Sequence, residues 1–262
     1  MTATVVRVSP GWLALREPAD AAARSVELVE RLARHLPAAG RLVIHDLGGG
    51  DGAMGRWLAP RLRGPQHWVV HDRDADLLER AAATPPGRAA TVETRQSDVT
   101  RLANGDLAGA SLIVASALLD ILAADDLARM LRVCTAAGCP MLLALTVVGR
   151  VSLRPADPFD ALVAAAFNDH QRRLLGPDAA AAAVDALRGT GAEVLVAPSP
   201  WRLDAADADL TAEWLEGWIA AACEQEPALA GEVGDYRERR LAQAAAGRLA
   251  VRVGHVDLLV LP

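Results

Sequence analysis

Apolar and polar positions along this chain alternate between two rhythms. Short unbroken apolar runs, bounded by glycine or an acid, recur between stretches with helical spacing. "RLVIHDL" (41–47), "HWVVHD" (67–72), "SLIVAS" (111–116) and "PMLLALTVV" (140–148) are such runs, and "ATVETRQSD" supplies a further strand over about 90–95. Between them lie helix-compatible segments at about 53–62, in "DADLLERAAA" before Pro85-Pro86, and in "DDLARMLRVCTAA". Upstream, Val26, Val29, Leu32 and Leu36 share one face of a helix expected over 18–36, with Pro18 in its first turn and Pro37 just past its end. Strands alternating with helices at this spacing predict a parallel sheet covered on both faces.

The last third reads differently. "PDAAAAAVDALRG" is a helix between Pro177 and Gly189, and "AEVLVAPSPWRL" is a strand. "LTAEWLEGWIAAACEQ" and "VGDYRERRLAQAAA" are two more helices, and "RLAVRVGHVDLLVLP" closes the chain as a strand. Two terminal strands separated by an insertion predict an antiparallel final strand.

At 262 residues, the chain has room for one large domain. Its net charge of −6 and pI near 5.5 give no global attraction to nucleic acid or to an anionic membrane. Cys134, Cys139 and Cys223 lack disulfide-framework or zinc spacing and read as small buried residues in a reducing cytoplasm. No leader-like segment or membrane-length apolar run is present, so a soluble cytoplasmic protein is expected.

The chemistry concentrates in "HDLGGGDGAMG". Gly50-x-Gly52-x-x-Gly55 satisfies the dinucleotide fingerprint, and Asp46-x-Gly48-x-Gly50-x-Gly52 satisfies the acidic glycine loop that binds S-adenosylmethionine. Asp46 and Asp51 would repel a pyrophosphate, whereas an acid at 46 can receive a methionine ammonium group directly or through water. Asp72 ends the second strand, where a carboxylate accepts ribose hydroxyls. Asp98, with the Val99 N–H, can bracket an adenine edge.

With these residues in place, the chain resembles the class I S-adenosylmethionine-dependent methyltransferase superfamily. "HDLGGGDG", "VVHDRD", "QSDVT" and "LIVASALLD" match its first four motifs, over about residues 40–150 and the final strands. The resemblance implies a Rossmann-like α/β fold: a seven-stranded, mostly parallel sheet with an antiparallel last strand and helices on both faces. It also implies S-adenosyl-L-methionine as cofactor, with Asp46, Gly48, Gly49, Gly50, Gly52, Asp72, Arg73, Asp98, Val99, Ser116 and Arg24 as candidate binding residues. The chain departs from the family at Ser116-Ala117-Leu118-Leu119, which replaces the polar motif used on nucleic-acid or protein amino groups. This points to a small-molecule acceptor, in the manner of actinobacterial small-molecule methyltransferases. An RNA methyltransferase and an NAD(P)-dependent oxidoreductase are the alternatives.

His170, in "FNDHQRRL", and Asp120, after the fourth strand, are the catalytic candidates. Trp201, Trp214 and Trp218 fit either core packing or a flat lid. No cluster has convincing metal-ligand spacing, although Asp120, Asn168 and Asp169 keep a divalent cation open. A single domain over 1–262 is expected, with the helical segment 1–37 and insertions at about 150–175 and 201–247 capping the substrate. A monomer or homodimer without nucleic-acid or membrane partners completes the expectation.

Overall fold

The computed structural model describes residues 8–88 and 90–262; the first seven residues of the N-terminal segment lie outside this range. The first half alternates as predicted: β1 (Leu42–Leu47), α3 (Ala53–Leu58), β2 (Gln66–Asp72), α4 (Ala75–Ala83), β3 (Ala90–Gln96), β4 (Leu112–Ser116), α5 (Ala124–Ala136) and β5 (Met141–Arg154). Before them come α1 (Pro10–Ala23) and α2 (Val26–Ala33), and after them α6 (Phe159–Gln171), α7 (Ala179–Arg188), β6 (Glu193–Pro198), β7 (Trp201–Leu203), α8 (Ala208–Gln225), α9 (Gly234–Ala245) and β8 (Ala250–Leu261). The sheet order is β3-β2-β1-β4-β5-β8-β6, with β7 also paired to β8. Strands β1 to β5 run parallel, and β8 is antiparallel to β5, β6 and β7.

Three details depart from the sequence expectation. The helix expected over 18–36 is two helices, with the break at Arg24 and Ser25. Ser9 caps α1 by accepting from the Trp12 N–H, and Pro18 sits inside α1 rather than at its start. Ser25 then caps α2 through the Leu28 N–H. The strand expected in "AEVLVAPSPWRL" is split at Ser199-Pro200 into β6 and β7, so the sheet has eight strands rather than seven. Proline cannot donate to a ladder, and two of them at 198 and 200 end one pairing before the next begins. β5 runs six residues beyond the expected end, because its extension pairs with the start of β8.

Two cores flank the sheet. One packs α5 and α7 against it through Leu127, Leu131, Ala183 and Leu187; the other packs α2 and α3 through Leu28, Leu32, Met54 and Leu58. A third core lies off the sheet, where α1, α6, α8 and α9 close over the long β5–β8–β7 arm. Trp201 and Trp218 are buried in it, at 3% and 2% exposure, and Trp214 stacks on Trp218 at 5.1 Å. All three therefore belong to the packing of this layer, the plainer of the two readings for them.

Candidate functional site

The parallel strands place their C-terminal ends along one edge, where ligands bind in sheets of this kind. β1 delivers Asp46 there and turns into the glycine loop. Gly48, Gly50 and Gly52 have φ of +64°, +53° and +85°, values open to glycine at little cost. Gly49 is required for space: a Cβ there would stand 2.7 Å from the Asp46 Cγ. The loop spends several of its amides internally. Gly49 donates to the His71 carbonyl at 3.0 Å, Gly52 to the Gly49 carbonyl at 2.9 Å, and Gly50 to the Asp72 carboxylate at 2.9 Å.

A clasp from α1 secures the loop. The Arg56 guanidinium donates twice to Glu17, at 2.8 and 2.7 Å, and to the Asp51 carbonyl and carboxylate, at 2.6 and 3.1 Å. Asp51 therefore shares a single guanidinium with Glu17, and the three groups together remain net negative beside the loop.

Asp46 is fully buried, and neither carboxylate oxygen has a hydrogen-bond partner. Burial raises its pKa to about 7, against the opposing pull of Arg24. It lines a void of about 10 Å³, room for roughly one water molecule. Arg24 is equally buried. One of its nitrogens donates to Ser116 Oγ at 3.0 Å and lies 3.9 Å from Asp20, while Nε and the other terminal nitrogen have no partner. A buried acid and a buried guanidinium, both under-satisfied at the strand ends, are costly to a fold that makes no use of them.

Asp72 stands at the end of β2 with one oxygen on the Gly50 N–H and the other on the Asp74 N–H, both at 2.9 Å. This fixes the carboxylate beside the loop while leaving it further lone pairs. Arg73 is exposed, and its carbonyl accepts from Gln96 at 3.2 Å. Asp98 caps the short turn Val99–Arg101, accepting from the Thr100 N–H at 3.0 Å and the Thr100 hydroxyl at 2.7 Å. Val99 is buried beneath it.

Ser116 ends β4. The next residue, Ala117, has φ +52°, and Leu145, at an irregularity within β5 one residue past the partner of Ser116, has φ +56°. Side-chain-bearing residues adopt this conformation at a cost, and such strain concentrates at functional sites. Asp257 supports the Leu145 bend from β8, accepting from its N–H at 2.8 Å and from the Ser25 N–H at 2.7 Å. These features escaped the sequence reading, although an acid inside the apolar run "VDLLVL" is a visible signal.

The two catalytic candidates lie apart. Asp120 sits in the turn Leu119–Ile121 after β4; burial raises its pKa, and its Oδ1 has no partner. His170 ends α6, with Nε2 3.4 Å from Glu224 of α8 and a buried, unpartnered Nδ1. Among the described residues, no hydrogen bond or ion pair joins His170 to the strand-end residues. His45 and His71 form a stacked pair with ring nitrogens 3.0 Å apart, and burial lowers each pKa to about 4, so both are neutral packing residues. Among the described residues, no group of three or more His, Cys, Asp and Glu side chains is placed to hold a metal ion, and no helix is long and apolar enough to cross a membrane.

No protein-family model and no curated protein matches the sequence. Solved structures do match the fold. A cyclopropane-fatty-acyl-phospholipid synthase-like protein from Lactobacillus casei ATCC 334 aligns over 96% of this chain and 92% of its own, at 15% identity and a TM-score of 0.55. The cyclopropane synthase MmaA2 from Mycobacterium tuberculosis aligns over 95% and 94%, at 12% identity and a TM-score of 0.52. A Bacillus halodurans C-125 protein assigned provisionally to the methyltransferases aligns over 88% and 97%, at 15% identity and a TM-score of 0.51. With its strand order, its antiparallel β8 and these likenesses, the chain has the Rossmann-like fold of the class I methyltransferases.

Proposed function

We propose that the protein transfers a methyl group from S-adenosyl-L-methionine to a small-molecule acceptor. The observation that carries this reading is the buried, unpartnered Asp46 carboxylate under the glycine loop. An ammonium group, directly or through one water, satisfies it; a pyrophosphate does not. The amides that Gly49, Gly50 and Gly52 spend inside the protein further weaken the loop as a pyrophosphate cradle. Asp72, held against the loop, takes the ribose hydroxyls. Arg24 and Ser116 face the methionine carboxylate, Asp98 and the Val99 N–H take the adenine edge, and Arg73 flanks the nucleoside. Calorimetry with S-adenosylhomocysteine and with NADH tests the assignment: micromolar binding of the first and none of the second is expected. Binding of NADH alone would overturn it.

When bound, the cofactor supplies the electrophilic methyl carbon; the protein's part is alignment, which can be worth roughly 7–11 kcal/mol. The third core, built on α1, α6, α8 and α9, caps the acceptor. On this reading Glu224 orients His170, leaving Nδ1 free to take a proton from the acceptor, and the buried Asp120 positions the acceptor by hydrogen bonding. The protein works as a monomer or homodimer on a small molecule, without nucleic acid, in the cytoplasm.

Two variants follow. Asp72→Ala will weaken S-adenosylhomocysteine binding by about 1.5–3 kcal/mol, roughly 10- to 150-fold. Unchanged affinity in the folded variant removes Asp72 from the site. His170→Ala will lower turnover while cofactor affinity stays within about twofold. Unchanged turnover in the folded variant assigns His170 to the packing of the cap instead.

A further inference from the structure

The arm formed by the end of β5, the start of β8 and β7 has two unlike faces. Its inner face, with Val251, Val253, Leu153 and Leu203, is buried in the third core. On its outer face the exposed positions are Arg150, Ser152 and Arg154 of β5, Arg252 of β8 and Arg202 of β7. Arg202 pairs directly with Arg252 across the ladder, and Arg252 with Ser152 on its other side. Like charges placed directly opposite destabilise a sheet. No acidic residue occupies an outward position on the three strands to offset them.

Among the described residues, none of these four arginine side chains has a hydrogen bond or an ion pair. Exposed arginines elsewhere on this acidic protein are mixed: Arg172, Arg173, Arg237 and Arg239 each meet a carboxylate, while Arg34, Arg41, Arg63 and Arg132 stand apart from one another in the chain, so the arm is distinguished by gathering four on one sheet face. Two of the unpaired arginines also border a cavity. This cavity, of about 180 Å³, has Arg150, Ser152 and Arg252 on its polar side and a largely apolar wall that includes Val148, Val256 and the two prolines at 198 and 200. Gly254 keeps it tight: a Cβ there would stand 3.0 Å from Val148 and 3.1 Å from Arg150. The two prolines offer no N–H and form a fixed apolar wall. Two arginines and a serine on one side of a small cavity supply donors of the kind that phosphate oxygens accept.

We propose that this outer face is a phosphate-binding site, separate from the methyl-donor site, which takes the phosphate or diphosphate group of a ligand. The ligand relieves the repulsion between Arg202 and Arg252, and Arg150 and Ser152 complete its coordination. The site is independent of the proposed methyl transfer, because none of its residues belongs to the glycine loop or to the strand-end cluster around Asp46.

Titration calorimetry with inorganic phosphate and pyrophosphate tests it, against sodium chloride at equal ionic strength, and flotation with phosphatidylglycerol vesicles tests a lipid headgroup as the source. Saturable binding in either assay is expected, weakened by at least about tenfold in Arg252→Ala and in Arg150→Ala. All four side chains are exposed, so these variants should fold, and S-adenosylhomocysteine affinity should be unchanged in both. Without phosphate, Arg252→Ala should melt no lower than the parent protein, because it removes an opposed like-charge pair. Binding in the free-phosphate arm identifies a soluble ligand, and binding in the vesicle arm alone identifies a lipid headgroup. No binding in either arm, equal binding by the variants, or an effect reproduced by chloride overturns the proposal.

Discussion

Asp46→Asn will weaken S-adenosylhomocysteine binding by about 100-fold and yet raise the protein's thermal stability at pH 8. The first effect is the loss of a charge-assisted hydrogen bond to the cofactor ammonium, in the upper part of the 1.5–3 kcal/mol range for such contacts. The second follows from the unmet needs of the buried carboxylate. Burial raises the Asp46 pKa to about 7, whereas an unfolded aspartate titrates near 4. Between pH 4 and 7 the folded state therefore binds the extra proton. Stability from this group is present below about pH 4 and is lost as the pH rises to 7; above that, an ionised carboxylate sits buried without a partner. Asparagine never ionises, so the variant should melt roughly 2–4 °C higher at pH 8, the shift given by about 1 kcal/mol in a chain of this size.

The same logic gives the parent protein's binding a pH dependence. An ammonium group beside Asp46 favours the ionised form, so binding expels a proton and affinity should rise between pH 5.5 and 8. The dependence should vanish in Asp46→Asn. A variant that binds normally, or that loses both binding and stability, would show Asp46 to be a structural acid and not a ligand for the cofactor.

The largest stability loss is expected far from the glycine loop. In the third core the Arg240 side chain is 1% exposed and donates to Asp160 at 2.6 Å, to the Pro155 carbonyl at 2.8 Å and to Gln243 at 2.8 Å. Tyr236 donates its hydroxyl to the same Asp160 at 2.8 Å. The triad ties α9 to the start of α6 and holds the third core together. Removing one partner of a buried pair leaves the other charge without compensation, at a cost of about 3–5 kcal/mol. Asp160→Ala should lose that much in urea denaturation, whereas Tyr236→Phe should lose only about 1 kcal/mol, one hydrogen bond's net worth. If the cap carries the acceptor pocket, Asp160→Ala will also lose turnover before it loses cofactor affinity. A denaturation midpoint within error of the parent would contradict the burial of Arg240.

The parallel half of the fold was legible because its signals are local. An unbroken run such as "LVIHDL" cannot expose its side chains on either face, and the glycines after it permit only a tight turn. The loop's acids were equally readable, since Asp46 and Asp72 lie at the ends of β1 and β2 and Asp98 comes two residues after β3. The N-terminal helix was misjudged because the sequence does not show which of two caps wins. Pro18 resembles a helix start, but Ser9 provides the cap and the proline is carried inside α1. "AEVLVAPSPWRL" reads as one strand because its two halves are both apolar, although they pair with different stretches of β8.

The sequence by itself determined the order of strands and helices, the glycine loop and the acids around it, because each depends on neighbours within a few residues. Tertiary structure alone decided which charges are compensated. Arg56 bridges Glu17 and Asp51, Arg24 is buried against Ser116, and Arg240 finds Asp160 eighty residues away. It also decided which charges are left alone: Asp46 under its loop, and the four arginines brought side by side when β5, β8 and β7 come together. The energy of a charge depends on its distance to other charges and to water, and neither distance exists until the chain has folded.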